Sequence, residues 1–293
     1  MRKVAIITGV TSFLGKSTAK YLLSKDFIVF GIVRPDSEKK DSLKELKGLK
    51  TIEIDFDKIE SKDFDNLDME SEDIKCIINS KLDITFIHFG WGATLDRSNF
   101  MKQMLNVDYS MKVLELAKII RAKRFIFAGS QAEYSDTAYG LAKQKFGDNG
   151  VRYTKDVDMD FIHFRIFSIY GKDDRETSLI KLLARSIKDE KDIDLSSCNF
   201  KWNFLYIDDF VSIIYQFILN EAKTDTYDIA SDDTRLLKDY CIEAKEVFNS
   251  NIKLNFGARP DSSETFAVPN IKKMMNIIGD FTFTRFEDGI KQV

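Results

Sequence analysis

The segment TGVTSFLG, Thr8 to Gly15, constrains this chain more than any other feature. It joins a run that reads as a buried strand, Val4 to Thr8, to one that reads as a helix, Gly15 to Lys25. A connection this short must reverse tightly, which Gly9 permits, and must let the helix lie close on the strand, which Gly15 permits. The helix N-terminus then offers amides without intrahelical partners and a partial positive charge, which suits a pyrophosphate. Gly9, Thr11, Ser12, Phe13, Leu14 and Gly15 are therefore candidate dinucleotide contacts. Ser12 stands where the usual pattern has its middle glycine, and its hydroxyl could itself meet phosphate; a purely structural turn is the alternative.

The pattern that opens with this turn continues as alternating strands and helices. Strands are expected at Phe27 to Val33, Thr51 to Ile54, Thr85 to Phe89, Arg124 to Ala128 and Phe161 to Phe167. Phe100 to Arg121 reads as an amphipathic helix with Met101, Met104, Leu105, Val107, Met111, Leu114, Ala117 and Ile120 on its apolar face, long enough to cover a sheet or a partner subunit. The charged stretch Asp36 to Lys50 reads as a solvated helix with flanking loops. This order predicts an α/β fold, a doubly wound parallel Rossmann sheet with a smaller C-terminal α+β region. The expected division is a dinucleotide-binding domain over 1–167, rejoined by about 202–230, and a substrate-binding region over 168–201 and 231–293.

Composition narrows the function classes. A chain of 293 residues can bury a sizeable core, and a formal charge of -3 leaves no basic excess for binding nucleic acid. Cys76, Cys198 and Cys241 are far apart and form no metal-ligand spacing, so they are expected to be reduced thiols, with no metal site. Arg2 and Lys3 precede an apolar stretch interrupted by Gly9 and Gly15, which does not suit a signal peptide, and no run is long enough to span a membrane. A soluble, cytoplasmic protein is expected.

About 20 residues past the glycines, an acid at the end of the second strand would hold a ribose hydroxyl. Here Arg34 occupies that place, and a guanidinium fork suits a 2′-phosphate, favouring NADP over NAD. Arg34 as an ordinary exposed loop residue is the alternative, and Asp36 keeps NAD open. Asp55, after the third strand, is placed either to contact adenine or to serve as a plain N-cap.

Tyr139 and Lys143 are four positions apart, so on a helix they share a face. An ammonium near a phenol favours the phenolate, and such a tyrosine can exchange a proton with a carbonyl or alcohol oxygen while hydride moves to or from nicotinamide. Ser130, just beyond a strand, could hold the same oxygen. With the glycine turn and the segment AGSQAEY, Ala128 to Tyr134, these residues make the chain resemble the extended short-chain dehydrogenase/reductase family over nearly its whole length. That family contains nucleotide-sugar epimerases, dehydratases and 4-ketosugar reductases; within it the CDP-dideoxyhexose (abequose/paratose) synthases are most similar.

The resemblance implies Ser130, Tyr139 and Lys143 as the catalytic residues and adds Phe56, Phe89 and Gly90 to the cofactor contacts. It implies Trp91 and Arg165 beside the substrate, Trp202 and Tyr206 in WNFLYIDDF, and Arg259 in GARPD on a diphosphate. Taken singly, Trp202 and Tyr206 read as core aromatics and Arg259 as a surface charge. His88 is placed near a nicotinamide ribose or is a satisfied buried histidine, and His163 reads as structural. Two departures stand out. Ser130 and Tyr139 are only nine positions apart, which implies a trimmed active-site rim. Gln131 and Ala132 also stand where dehydratases carry an Asp-Glu pair, which argues against 4,6-dehydration. What remains is NADPH-dependent reduction of a 4-keto-deoxyhexose nucleotide-sugar, with a 4-epimerase retaining NAD, or a non-catalytic dinucleotide sensor, as alternatives. A homodimer through the Phe100 to Arg121 helix and the helix beginning near Tyr139 is implied.

Overall fold

The computed structural model describes residues 3–56, 82–261 and 267–293; Cys76 lies outside them. The chain divides into two compact units, Met1–Arg165 with Ile214–Tyr227, and Ile166–Ile213 with Asp228–Val293. Among the described residues no helix is long and apolar enough to cross a membrane.

The first unit is built on strands β1 (Lys3–Thr8), β2 (Ile28–Val33), β3 (Lys50–Glu53), β4 (Asp83–His88), β5 (Arg124–Ala128) and β6 (Asp160–Ile166). They lie in the order β6-β5-β4-β1-β2-β3 with all five neighbour pairs parallel, and a later strand, β10 (Asp225–Ile229), borders β6. The central strands are buried on both faces, which is why they read as near-continuous apolar runs. The order reverses between β1 and β4, and in such sheets ligands bind at that switch point, beyond the carboxyl ends of the strands. Register aligns Phe86, Phe125 and Phe161 across β4, β5 and β6. Their rings stack at centroid distances of 5.5 Å, and Phe146 meets Phe127 edge-on at 4.6 Å.

Three helices of this unit bear on function: α1 (Phe13–Ser24), α2 (Phe100–Ile119) and α3 (Ala138–Thr154). Helix α2 departs from its expected stripe. Its buried side includes Gln103, Asn106 and Ser110 beside Val107, Val113 and Leu114, whereas Met101 and Leu105 are exposed. The polar residues face inward because the loop leaving β4 needs their hydrogen bonds. The stretch Asp36 to Lys50 forms only a 3₁₀ turn, Lys40–Leu43, among turns. Only Leu43 and Leu46 are buried there, too short an apolar stripe to stabilise a longer helix.

The second unit contains β7 (Ser168–Tyr170), α4 (Leu179–Lys188), β8 (Ile193–Asp194), β9 (Lys201–Tyr206), β11 (Thr234–Leu236), α6 (Leu237–Val247), β12 (Leu254–Asn255), α7 (Lys272–Ile278) and α8 (Phe286–Ile290). The connecting helix α5 (Ile207–Leu219) runs from one unit into the other. β9 is central to a three-stranded sheet, and β8 pairs with β12. Buried Asn203 secures it, donating to the carbonyls of Ser231 and Asp233 and accepting from the Ser231 amide.

In the first unit Arg124 forms a bidentate pair with Asp83 at 2.9 and 3.2 Å, and its side chain is 4% exposed. Removing one partner of such a pair leaves a buried charge uncompensated. Asp83→Ala is expected to lower unfolding free energy by about 3–5 kcal/mol, measured as the urea midpoint multiplied by the slope.

Candidate functional site

The turn after β1 has the geometry its sequence implies. Gly9 adopts φ +66°, a left-handed conformation, and a Cβ there would lie 2.8 Å from the Gly90 amide nitrogen. A Cβ on Gly15 would lie 2.3 Å from the Gly9 carbonyl oxygen. The Ser12 hydroxyl caps α1, accepting from the Gly15 amide at 3.1 Å, so its oxygen is committed while its hydrogen can still be donated. Thr11, Phe13 and Leu14 are partly exposed around this N-terminus, whose first amides have no intrahelical acceptor. Two side-chain-free backbones in contact, with a capped helix start beside them, fit a dinucleotide pyrophosphate. Arg34 is exposed at the end of β2. Lys40, which the sequence did not single out, reaches back to the same place and donates to the Pro35 carbonyl at 2.6 Å and to Glu53 at 2.5 Å. Asp55 and Phe56, after β3, are partly exposed.

Beyond β4, the Phe89 amide donates to the Thr8 carbonyl at 3.2 Å, and the Gly90 amide donates to the Thr8 hydroxyl, also at 3.2 Å. His88 lies beneath them. Ser110 donates its hydroxyl hydrogen to the Asn106 carbonyl, so the His88 Nε2–H donates to Ser110 Oγ at 2.9 Å. His88 Nδ1 is then bare and accepts the Thr8 hydroxyl hydrogen at 2.6 Å. The satisfied buried histidine is thus the arrangement present. Burial, followed by the charge of Lys143, pushes the His88 pKa down to about 3.

Tyr139 and Lys143 lie on the inner face of α3, both buried. Lys143 Nζ donates to the Ala128 carbonyl at 2.6 Å and lies 3.8 Å from the Trp91 ring centroid and 5.7 Å from that of Tyr139. Burial pulls the Lys143 pKa down to about 7; Glu133 acts against this, and Arg97 adds to it. Arg97 covers the Tyr139 ring at 4.9 Å. Trp91 is pinned by α2, its indole N–H donating to Gln103 Oε1 at 2.9 Å, while Asn106 accepts the Gly92 amide at 2.7 Å.

The short link from Ser130 to Tyr139 closes through two caps. Ser130 and Glu133 form a reciprocal capping box on the 3₁₀ turn Gln131–Tyr134, and Thr137 caps α3 through the Gly140 amide at 3.1 Å. Ser130 Oγ accepts from the Ala132 amide at 3.2 Å, which leaves the hydroxyl hydrogen for an external oxygen. Arg165, expected beside a substrate, donates to Tyr134 Oη at 2.6 Å and to Glu133 at 3.4 Å. Glu133 and Arg97 are further members of this site. The signal for Glu133 was present, since Ser130 to Glu133 has the capping-box spacing; nothing local marks Arg97.

One unit therefore brings together Ser130, Tyr139, Lys143 and Trp91, with the glycine turn and Gly90. Trp202, Tyr206 and Arg259 belong to the other. Trp202 and Tyr206 share a face of β9, partly buried against that unit's core, and Arg259 is exposed after β12 with its amide bonded to the Leu195 carbonyl. The site in the first unit can polarise an oxygen and deliver a proton to it from a tyrosine beside two cationic side chains.

Residues 5–230 match the profile of the NAD dependent epimerase/dehydratase family. A CDP-abequose synthase of Salmonella muenchen is 25% identical over 274 residues, covering 88% of this chain and 85% of that protein. The fold matches a UDP-N-acetylglucosamine 4-epimerase from Methanobrevibacter ruminantium, solved with UDP-N-acetylmuramic acid, at TM-score 0.82 and 16% identity, covering 99% of this chain and 96% of that one. It also matches a UDP-glucuronic acid 4-epimerase from Bacillus cereus, solved with UDP-glucuronic acid and NAD, at TM-score 0.78 and 17% identity, covering 99% and 97%.

The buried His88 makes stability depend on pH. An unfolded chain binds a proton there below about 6.5, and the folded chain only below about 3, so stability falls as pH drops through that window. The urea midpoint of the parent is expected to fall more steeply than that of His88→Gln between pH 7 and 4.5; parallel curves would contradict a neutral His88.

Proposed function

The chain belongs to the NAD-dependent epimerase/dehydratase family of nucleotide-sugar enzymes, and from that premise we propose that it is an NADPH-dependent reductase of a 4-keto-deoxyhexose nucleotide-sugar. The observation that carries this reading is the Tyr139–Lys143 pair beside a Ser130 hydroxyl with a hydrogen to give. The CDP-abequose synthase similarity, extending over most of both chains, favours a sugar of the dideoxyhexose class. Gly9, Thr11, Ser12, Phe13, Leu14, Gly15, Phe89 and Gly90 would hold the pyrophosphate and nicotinamide end of the cofactor, with Asp55 and Phe56 toward the adenine. Exposed Arg34 supports the phosphorylated cofactor, with Lys40 as a second cation at the same strand end.

In this mechanism the Ser130 hydroxyl and the Tyr139 phenol both donate to the sugar C4 carbonyl oxygen. NADPH, held by the glycine turn and the Phe89–Gly90 backbone, would supply the hydride that the carbonyl carbon accepts. As the C–O π bond breaks, Tyr139 gives its proton to the oxygen, leaving a phenolate beside Lys143 and Arg97. Trp91 keeps water from the Lys143 amine. Trp202, Tyr206, Arg165 and Arg259 are proposed substrate contacts, with Arg259 suited to a diphosphate.

The same reading includes a homodimer. Phe100, Met101 and Leu105 on α2 and Leu141 and Val151 on α3 are exposed, which supports these two helices as the dimer surface. The free thiols Cys198 and Cys241 suit the cytoplasm.

Mixing purified protein with NADPH and a CDP-4-keto-deoxyhexose is expected to consume NADPH, and Tyr139→Phe to lower kcat by about 10²–10⁴-fold with NADPH binding retained. Isomerisation of a nucleotide-sugar without added cofactor would replace this reading with the 4-epimerase. Leu105→Lys is expected to shift the mass in solution from two chains to one.

A further inference from the structure

The Glu133 carboxylate is walled in behind the site, its side chain 1% exposed. It accepts from the Ser130 amide at 2.7 Å, from His163 Nε2 at 3.0 Å and from Arg165 Nε at 3.4 Å. Room has been left for this cluster. A Cβ on Gly129 would lie 2.3 Å from both Glu133 Oε1 and His163 Nε2, and one on Gly147 would lie 2.4 Å from the His163 ring. A buried carboxylate that stays charged carries a large desolvation cost, which its donors must offset, and here the donors and the space are arranged on three elements. Its surroundings achieve that: burial opposes ionisation, yet the His163 ring, the Ser130 amide and Arg165 together hold its carboxyl below the usual range.

We propose that Glu133 is a positioning residue for the Ser130–Tyr139–Lys143 unit: its carboxylate holds the Ser130 backbone and sets a buried negative charge against Gly129, next to the Ala128 carbonyl that Lys143 Nζ binds. The kinetic part of this inference rests on the reductase reading; the electrostatic part does not. Among the described residues, the groups facing Lys143 are few. Glu133 on the 3₁₀ turn favours its charged form, and Arg97 in the loop before α2 opposes it. His88 on β4 is neutral above about pH 3, Tyr139 lies on α3 itself, and the Trp91 and Phe127 rings cover the amine. His163 and Arg165, on β6, pair with Glu133. With Lys143 set at about 7, small changes in these charges decide whether the ammonium is present at neutral pH.

Trp91 gives a readout independent of turnover, because Lys143 lies 3.8 Å from its ring. The chain has two tryptophans, so Trp202→Phe isolates it. In that background the emission of Trp91 followed against pH is expected to show a transition near 7, and Lys143→Met, which removes it, assigns it. Adding Glu133→Gln is expected to move the midpoint down by roughly one unit or more, and Arg97→Gln to move it up. Glu133→Asp keeps the charge but shortens the reach to Ser130. Its midpoint is expected to stay near the parent's while kcat falls about tenfold or more, which tests the proposal even if the glutamine variant does not fold. In Glu133→Gln the alkaline limb of the kcat profile is expected to shift with the fluorescence midpoint. A midpoint unchanged by Glu133→Gln, or a Glu133→Asp protein with parental kcat, overturns the inference. Absent turnover in the parent alongside the expected fluorescence shifts would instead overturn the reductase reading and leave the electrostatic role of Glu133 standing.

Discussion

Burying the ammonium of Lys143 is the constraint from which most of this site follows. An amine only 3% exposed must find partners or lose its proton, and this one finds a carbonyl, an indole face and a carboxylate without escaping the cost. The sign of that cost is definite. An unfolded lysine holds its proton up to about 10.4 and the folded one only to about 7, so between those values the unfolded chain binds more protons and native stability rises with pH. At neutral pH the fold therefore carries a strain concentrated on one group. A polarised amine beside a phenol is useful to an acid–base unit, and such perturbed groups cluster at functional sites for that reason.

Holding Trp91 over that amine requires order well away from it. The indole is fixed by Gln103, the loop amides after β4 by Asn106, and His88 by Ser110, so one polar row on α2 serves both the loop and the sheet. The row costs α2 part of its apolar stripe. Met101 and Leu105 have consequently rotated to the surface, so the demands of the site on one face leave an apolar surface on another.

The parallel sheet was legible in the sequence because strands buried on both faces leave unbroken apolar runs, and β5 has the expected limits, Arg124 to Ala128. The glycine turn was legible because its demand is steric and local to Gly9 and Gly15. What could not be read depends on contacts distant along the chain. Nothing near Gln103 says it faces inward; the Trp91 indole, twelve positions earlier, decides that. Arg97 gains its importance only when Tyr139, from another element, comes under its guanidinium. For Asp36 to Lys50 the composition suited a helix, but propensity without a buried stripe was insufficient.

The short link between Ser130 and Tyr139 is held by bonds within itself. With nine positions available, the chain has little length to hold Ser130 by a long ordered loop. It uses the capping box instead, in which Glu133 bonds back to the Ser130 amide and Ser130 holds the turn. Ser135 and Thr137 then carry the backbone directly into α3, with Ser135 Oγ donating to the Ala132 carbonyl at 2.7 Å. Each of these bonds is local in sequence, so the hydroxyl and the phenol are connected through a few short covalent and hydrogen-bonded steps. A loop that folds on itself in this way loses less entropy on closing than a long one and keeps Ser130 and Tyr139 in fixed relation through their own backbone.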